Sequence, residues 1–506
     1  MLQLSSTHAL HDRQAAWPAA ISWRAWSALF LCLAALFLFG DGLAAPLALK
    51  DESRNANNAL DMALSGFSLV TTYDFRPDLW NTKPPLVIWL MSGSLRLFGL
   101  NEWALRLPSS LAAMGTLALT LWFVRKVTGS KGVALGSAIL LLLSPGFFGE
   151  HGARTGDFDA VLLLFVTGGL QLLYLALLKR RPPWSLLLAA GSLIALGALS
   201  KSVAAFIPVT GTLLFILVAG RLRPVLACWP RYALAFVAAL GPLLAFYAAR
   251  EWLGPGYLSA IVQNDMTGRF GELTDVEATP PTYYLQHLVT GWFFAGPLLL
   301  LVPLGLRKLG VRERTLALYA SSVVIGALAI YSAAATRAMQ YALPLFPWLA
   351  MLVAIALKRL ARTFVTGPWS NGQRLVPLAL GCALCLLGTQ LTARAMWWRF
   401  EMFPARQSGA QASYGDLFAS LASRGVTEVT VIDPGFGRRE ERGYAPLIRW
   451  HTLVWARKGF TATHLLSEPA TPAGLLASCE PSVTDRWQDR GVERIGLCAV
   501  RWPARH

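Results

Sequence analysis

Two short acidic stretches could do chemistry. In "LALKDESRNANNALDM", residues 47–62, Asp51 and Glu52 stand side by side just after an apolar run of about twenty residues, the length of a membrane span. In "ARTGDFDAVLL", Asp157 and Asp159 stand just before another apolar run. A carboxylate at mid-bilayer costs about 2.5–3.5 kcal/mol, whereas one at a span end meets water and can serve as a base. Asp51, Glu52, Asp157 and Asp159 are therefore the candidate catalytic residues, with solvated loop acids as the plain alternative. Lys83, in "NTKPPLVIW", precedes Pro84-Pro85. A residue before proline is extended and proline suits a first helical turn, so Lys83 would stand at a helix N-terminus, where free N–H groups favour an anion. Arg269 in "NDMTGRF", and Arg337 and Tyr341 in "ATRAMQYALPLFP", add two cations and a phenol. Singly each reads as an interface anchor, as does Lys201. Together with the carboxylates they suggest a phosphate site beside a base.

The elements that must position these residues are membrane spans. Of the 506 residues, 55% are hydrophobic and 14% charged, and the mean hydropathy is +0.48. A soluble chain carries about a quarter charged residues. Apolar runs fall at 22–43, 103–124, 132–149, 159–178, 184–200, 203–220, 232–249, 286–306, 315–332, 339–357 and 375–393. That predicts a polytopic α-helical membrane protein with about eleven transmembrane helices. Arg125, Lys126 and Lys131, then Lys179, Arg180 and Arg181, then Arg221, Arg223 and Arg231, and so on through Arg374, mark alternate loops as cytoplasmic. The acids and the candidate phosphate ligands fall on the opposite side. With many spans to follow, the Trp23–Gly40 run reads as a retained signal anchor rather than a cleaved leader. The formal charge of +17 reads as topology plus contact with anionic membrane lipids, because no nucleic-acid motif is present.

The predicted organisation is a cytoplasmic segment 1–21, a transmembrane module 22–393 and a small extracytoplasmic α/β domain 394–506. Two outer loops are long, 44–102 and 250–285. In the first, Leu60, Leu64 and Phe67 repeat at helical spacing among Asn57, Asn58 and Asp61, predicting an amphipathic helix lying at the interface. A second apolar stretch, 84–98, is too short to span. In the tail, Cys479 and Cys498 could pair in an oxidising compartment. Cys382 and Cys385 form a CxxC inside an apolar run and read as membrane packing. Walker, HExxH, GxSxG and zinc-cluster motifs are absent and the seven His have no metal spacing, so no metal ligands are assigned. The acids could still hold a divalent cation through oxygen ligands.

"DESRNANNALDMALSGF", followed by "NTKPPLVIWLMSGSLRLFGLNEWALRLPSSLAA", resembles the first outer loop of the protein O-mannosyltransferase-like branch of GT-C glycosyltransferases, which includes the lipid A aminoarabinose transferases. "ARTGDFDAVLLLF" looks like the second acidic motif of that branch, and "ATRAMQYALPLFPWLA" like its late helix. One departure is Asn264, where the aminoarabinose branch has a His. The resemblance covers about residues 45–350 and implies the GT-C fold, with interfacial helices in the first outer loop. It implies an inverting transferase in a bacterial inner membrane, acting at the outer face. The donor would be a sugar on polyprenyl phosphate, and the acceptor a lipid A-like glycolipid or a protein. By position, Asp51 would be the catalytic carboxylate, with Lys83, Arg269 and Tyr341 on the donor phosphate and Asp159 and Asp157 completing the acidic pocket.

A transporter or flippase of an anionic or lipid-linked substrate is the rival from another class. It predicts internal repeats and mid-span charges, whereas here no repeat is evident and the charges gather on one side. The alternating basic loops predict a cytoplasmic N-terminus and an outer tail, so a reporter fused after His506 is expected to be active only outside the cytoplasm.

Overall fold

The computed structural model describes residues 22–40, 43–47, 49–263, 279–306, 309–365, 386, 388–398, 414–434, 444–469, 474–487 and 491–503. The chain begins with α1 (Trp23–Phe39), α2 (Lys50–Ser65), a hairpin of β1 (Thr72–Tyr73) and β2 (Arg76–Pro77), and α3 (Leu86–Phe98). Next come α4 (Glu102–Thr128), α5 (Lys131–Leu142), α6 (Pro145–Phe148), α7 (Asp159–Leu177), α8 (Trp184–Lys201), α9 (Thr210–Val218), α10 (Leu222–Ala227), α11 (Trp229–Leu253) and α12 (Tyr257–Ile261). The bundle ends with α13 (Tyr283–Thr290), α14 (Val302–Gly305), α15 (Val311–Ala333) and α16 (Phe346–Val365).

Six helices among the described residues are long and apolar enough to cross a membrane: Glu102–Thr128, Asp159–Leu177, Trp184–Ala205, Trp229–Leu253, Val311–Ala333 and Met339–Thr363. Several apolar runs that read as single spans are broken. The 132–149 run divides at Ser144-Pro145 into α5 and α6. The 286–306 run holds α13, then a 3-10 turn Gly296–Leu301 and α14, with Gly291, Pro297 and Pro303 interrupting the hydrogen-bond ladder. The 203–220 run becomes a 3-10 turn followed by α9. Most of 375–393, including Cys382 and Cys385, lies outside the described residues.

Aromatic rings fill the bundle core, where Tyr174, Phe123, Tyr319 and Trp348 pack edge to face or tilted. The Tyr319 hydroxyl donates to the Leu170 carbonyl at 2.9 Å and meets the Thr212 hydroxyl at 2.9 Å, so its polar end is satisfied. Helices α9 and α15 touch backbone to backbone, and a Cβ at Gly211 would fall 2.2 Å from the Val323 Cα.

The C-terminal part is α/β. It contains α17 (Tyr414–Ser423), β3 (Glu428–Ile432), α18 (Pro446–Ala456), β4 (Thr461–Leu465), β5 (Leu476–Ser478), α19 (Pro481–Thr484), β6 (Val492–Ile495) and β7 (Cys498–Arg501). The strands form one sheet in the order β4-β3-β5-β7-β6. Strand β3 runs parallel to β4 and β5, while β7 is antiparallel to β5 and β6. Cys479 and Cys498 are disulfide-bonded beside the β5–β7 pairing.

Helix α2 departs from the expected interfacial helix. Its polar residues Asn57, Asn58 and Asp61 are fully buried, while Leu64 and Phe67 are exposed. The polar face lies under the hairpin and α18 instead of facing water. At the N-terminal end, Glu52 faces inward from α2 to Arg106 of α4. Arg106 Nε is 2.6 Å from Glu52 Oε1 and Nη2 is 2.9 Å from Oε2, a bidentate pair with both side chains buried. The Gly156 N–H adds a third bond to Glu52 at 2.7 Å, and Arg106 Nη1 donates to the Leu43 and Ala45 carbonyls at 2.8 and 2.6 Å. At the other end, Arg96 of α3 donates to the Met62 and Ala63 carbonyls and closes the last turn of α2.

Removing one member of a fully buried ion pair strands the other in a low-dielectric site at a cost of about 3–5 kcal/mol. Arg106→Ala is therefore expected to lower stability by about that amount, read as a large fall in the melting temperature of detergent-solubilised protein.

Candidate active site

Helices α7 and α8 run antiparallel, so the first residue of α7 and the last of α8 lie at one end of the bundle. Those residues are Asp159 and Lys201. Lys201 Nζ lies 2.6 Å from Asp159 Oδ1 and 2.5 Å from Oδ2. The helix dipoles favour this arrangement, with the anion at an N-terminus and the cation at a C-terminus. Lys201 also sits 5.4 Å from the centroid of the Tyr341 ring. The next residue, Ser202, has φ 57°, a left-handed conformation for a non-glycine residue, and its hydroxyl bonds to that of Tyr247.

Lys83, Asp159, Lys201, Tyr284, Tyr331 and Tyr341 line one cavity. Lys83 arrives from the loop before α3, two residues ahead of the Pro85 N-cap, close to where the Lys-Pro-Pro spacing predicts it. Its N–H donates to Asn81 Oδ1 at 3.3 Å and its Nζ to the Thr82 hydroxyl at 3.2 Å. Tyr341 comes from the 3-10 turn Met339–Leu345, which Pro344 keeps from continuing as α-helix from its start.

Beside the cavity, Asp157 accepts from the Phe158 N–H at 2.7 Å and pairs with His151 Nδ1. His151, at φ 58°, is a second left-handed non-glycine residue. Burial pushes the His151 imidazole down, but the charge and hydrogen bond of Asp157, with help from Asp159, outweigh it and hold the group at about 9. Burial likewise pushes Asp157 up, but His151, Lys201 and the Phe158 N–H hold it down at about 2. The result is two adjacent ion pairs, His151–Asp157 and Lys201–Asp159. Ligand atoms of His151, Asp157 and Asp159 lie within 4.8 Å of one another, a grouping that could hold a metal ion. The Lys201 ammonium already bridges both Asp159 oxygens and competes for that role.

Of the remaining predicted residues, Asp51, Glu52 and Arg337 lie elsewhere. Asp51 occupies the first turn of α2, half exposed and paired with Arg54, whose guanidinium lies 5.7 Å from the Trp80 ring centroid. One turn on, Asn55 donates to the Gly156 carbonyl at 3.2 Å and to Asp157 Oδ1 at 3.4 Å. Residues four apart share a helix face, so Asp51 and Asn55 lie on one face of α2. Glu52 does not join the His151–Asp157 and Lys201–Asp159 pairs, because both its oxygens bond to Arg106. The Arg337 guanidinium donates to the Ser332 and Thr279 carbonyls, although its neighbour Thr336 lines the cavity. Arg269 lies outside the described residues. Sequence reasoning passed over His151 and gave Lys201 only an anchor's role. A basic residue at the last turn of an apolar helix was the available signal for Lys201.

Residues 82–246 match the family model of dolichyl-phosphate-mannose-protein mannosyltransferases. An undecaprenyl phosphate-alpha-4-amino-4-deoxy-L-arabinose arabinosyl transferase of Aeromonas salmonicida is 27% identical over 357 residues, 67% of this chain and 62% of that enzyme. An uncharacterized Aquifex aeolicus protein is 31% identical over 212 residues, 42% of this chain and 39% of its own length. The chain thus spans less than two thirds of the length of these curated relatives. Among solved structures, ArnT from Cupriavidus metallidurans bound to undecaprenyl phosphate has a TM-score of 0.68 at 17% identity, covering 95% of this chain and 98% of that one. The oligosaccharyltransferase of Archaeoglobus fulgidus has a TM-score of 0.52 at 15% identity, covering 88% of this chain and 64% of that one. These likenesses establish the fold.

His151 contributes stability that is fully present below its ordinary value of 6.5 and is lost as the pH rises through about 9. Asp157 contributes stability present above 3.8 and lost as the pH falls through about 2. The melting-temperature gap between the parent and His151→Gln is therefore expected to be widest between pH 3.8 and 6.5 and to shrink as the pH rises through about 9.

Proposed function

We propose that this chain, a GT-C glycosyltransferase of the protein O-mannosyltransferase-like and lipid A aminoarabinose transferase-like family, moves a sugar from a polyprenyl-phosphate donor to an acceptor at the outer face of a bacterial inner membrane. The observation that carries this is the convergence of Lys83, Lys201 and Tyr341 with Asp159 around one cavity at a single end of the helices. A sugar phosphate leaves readily once its developing charge is held by preorganised donors, so no general acid is required. Lys83 and Tyr341 are the donors we assign to that phosphate, and Lys201, held by Asp159, supplies the adjoining positive charge. The family resemblance gives Arg269 a share in the same task.

Asp51, on the α2 face shared with Asn55, is the group we assign to the acceptor. For a hydroxyl acceptor it takes the proton as the oxygen attacks the anomeric carbon and the C–O bond to phosphate breaks. For an acceptor already ionised, such as a glycolipid phosphate, it orients. Direct displacement inverts the configuration. We place the tail domain outside with the cavity, and we read the bundle as about eleven spans from hydropathy and loop charge. A transporter would carry its charges near mid-span. Here Asp159 and Lys201 cap helix ends.

The two principal residues are expected to fail differently. Asp51→Asn keeps the shape but loses the base, so single-turnover transfer to a hydroxyl acceptor falls about 10²–10⁴-fold while donor still binds. Lys83→Ala removes a charge-assisted hydrogen bond and weakens donor binding by about 1.5–3 kcal/mol. Donor affinity and single-turnover rates on folded protein decide. Parental transfer by Asp51→Asn would remove Asp51 from the chemistry.

A further inference from the structure

We propose that Arg449, in the C-terminal domain, is a positioning residue for the cavity. It acts through α2 and the β1–β2 hairpin on the segment that presents Lys83.

Arg449 lies on α18 and binds the buried polar face of α2 with two arms. Its Nη1 donates to Asn57 Oδ1 at 2.8 Å and its Nη2 to Asp61 Oδ1 at 2.5 Å. Asn57 returns a bond to the Pro446 carbonyl at 2.7 Å, so the α2–α18 contact is reciprocal. The Arg449 guanidinium also lies 5.2 Å from the Tyr73 ring centroid and 5.7 Å from that of Phe75. Both rings belong to the hairpin.

That hairpin is strained. Asp74 and Phe75 have φ 53° and 58°, the mirror-type turn that suits a two-residue loop. Such turns favour Asn and Gly, and a bulky Phe at positive φ persists only where its surroundings over-determine it. The second oxygen of Asp61 supplies part of the restraint, accepting from the Phe75 N–H at 2.8 Å and the Thr72 hydroxyl at 3.2 Å. Arg449 thus holds the carboxylate that holds the hairpin, and covers the strained ring as well.

From the hairpin the connection to Lys83 is continuous. Asn58 of α2 donates to the Thr72 carbonyl at 2.7 Å and to Asp78 Oδ2 at 2.9 Å. Asn81 Nδ2 donates to Asn58 Oδ1 at 2.6 Å, and Asn81 Oδ1 accepts the Lys83 N–H at 3.3 Å. A planar, two-armed guanidinium suits this junction. Lysine keeps the charge opposite Asp61 but cannot also reach Asn57 in the same geometry.

The inference rests on Lys83 as a phosphate ligand, so its test is a cycle in the intact chain with undecaprenyl phosphate as the probe. Arg449→Lys is expected to weaken binding about tenfold in the parent and to have less than about a twofold effect once Lys83 is Ala, because coupled residues are non-additive. A general loosening of the fold would weaken both backgrounds equally. Arg424→Ala, at an exposed pair with Glu493 in the same domain, is expected to leave binding unchanged. Melting curves confirm folding, and Arg449→Lys decides the matter even if Arg449→Ala does not fold. Parental affinity in folded Arg449→Lys, or equal losses in the two backgrounds, overturns the proposal. Parental affinity in Lys83→Ala instead overturns the assignment of the phosphate site itself.

Discussion

Burying the polar face of α2 obliges every neighbour to supply a hydrogen-bonding partner. Glu52, Asn55, Asn57, Asn58 and Asp61 are all buried, and an unsatisfied buried polar group costs about 1–3 kcal/mol. The demands are met from four parts of the chain: Arg106 from α4, the 156–157 turn, Pro446 and Arg449 from α18, and the Thr72 and Asp78 segment. The helix therefore acts as a register pin between the bundle, the 72–78 segment and the C-terminal domain. A purely apolar α2 could slide or rotate at little cost. This one cannot move without breaking several directional bonds at once, which suits a helix whose first turn carries Asp51.

The cavity follows a second constraint, charge balance. Two carboxylates and two cations meet in adjacent pairs, and the cations are stabilised where they stand by the acids beside them. The Lys201 ammonium is held by both Asp159 oxygens before any ligand arrives, so its field is preorganised. Lys83 enters from a different element with its own backbone restraint. An anion placed between them meets positive charge whose orientation was settled during folding.

The C-terminal domain is fastened to this machinery by polar contacts. Trp450 donates to Glu102 at 3.1 Å, His451 to the Leu47 carbonyl at 3.1 Å, and the Ala445 N–H to the Tyr73 hydroxyl at 3.2 Å. Burial pushes the His451 imidazole down, which keeps it neutral in this interface. The contacts fall on the segment before α2, on the hairpin and on the first turn of α4. These are the pieces that frame Asp51 and Lys83, so the sheet domain is built into the geometry of the segment between α1 and α4.

Much of this was written in local patterns. Apolar runs of spanning length gave the membrane class, and the Lys-Pro-Pro spacing put Lys83 just ahead of a helix. Ionisable residues flush against apolar runs pointed to Asp157 and Asp159, because a carboxylate at a span end meets water and can serve as a base. Local patterns could not say which carboxylate of a neighbouring pair turns inward. Asp51 and Glu52 are about 100° apart around a helix, and only the position of Arg106, 54 residues away, decides that Glu52 is a structural partner. Periodicity likewise assigned α2's polar face to water, because it takes the absence of a visible partner for solvent. The partner, Arg449, lies 388 residues downstream of Asp61. Lys201 and His151 acquire meaning in the same way, from carboxylates brought to them by helix packing. Composition and hydropathy determined the membrane class and the candidate groups. Tertiary contact decided their pairing, because a hydrogen bond depends on distance and direction in space and leaves no period in the chain.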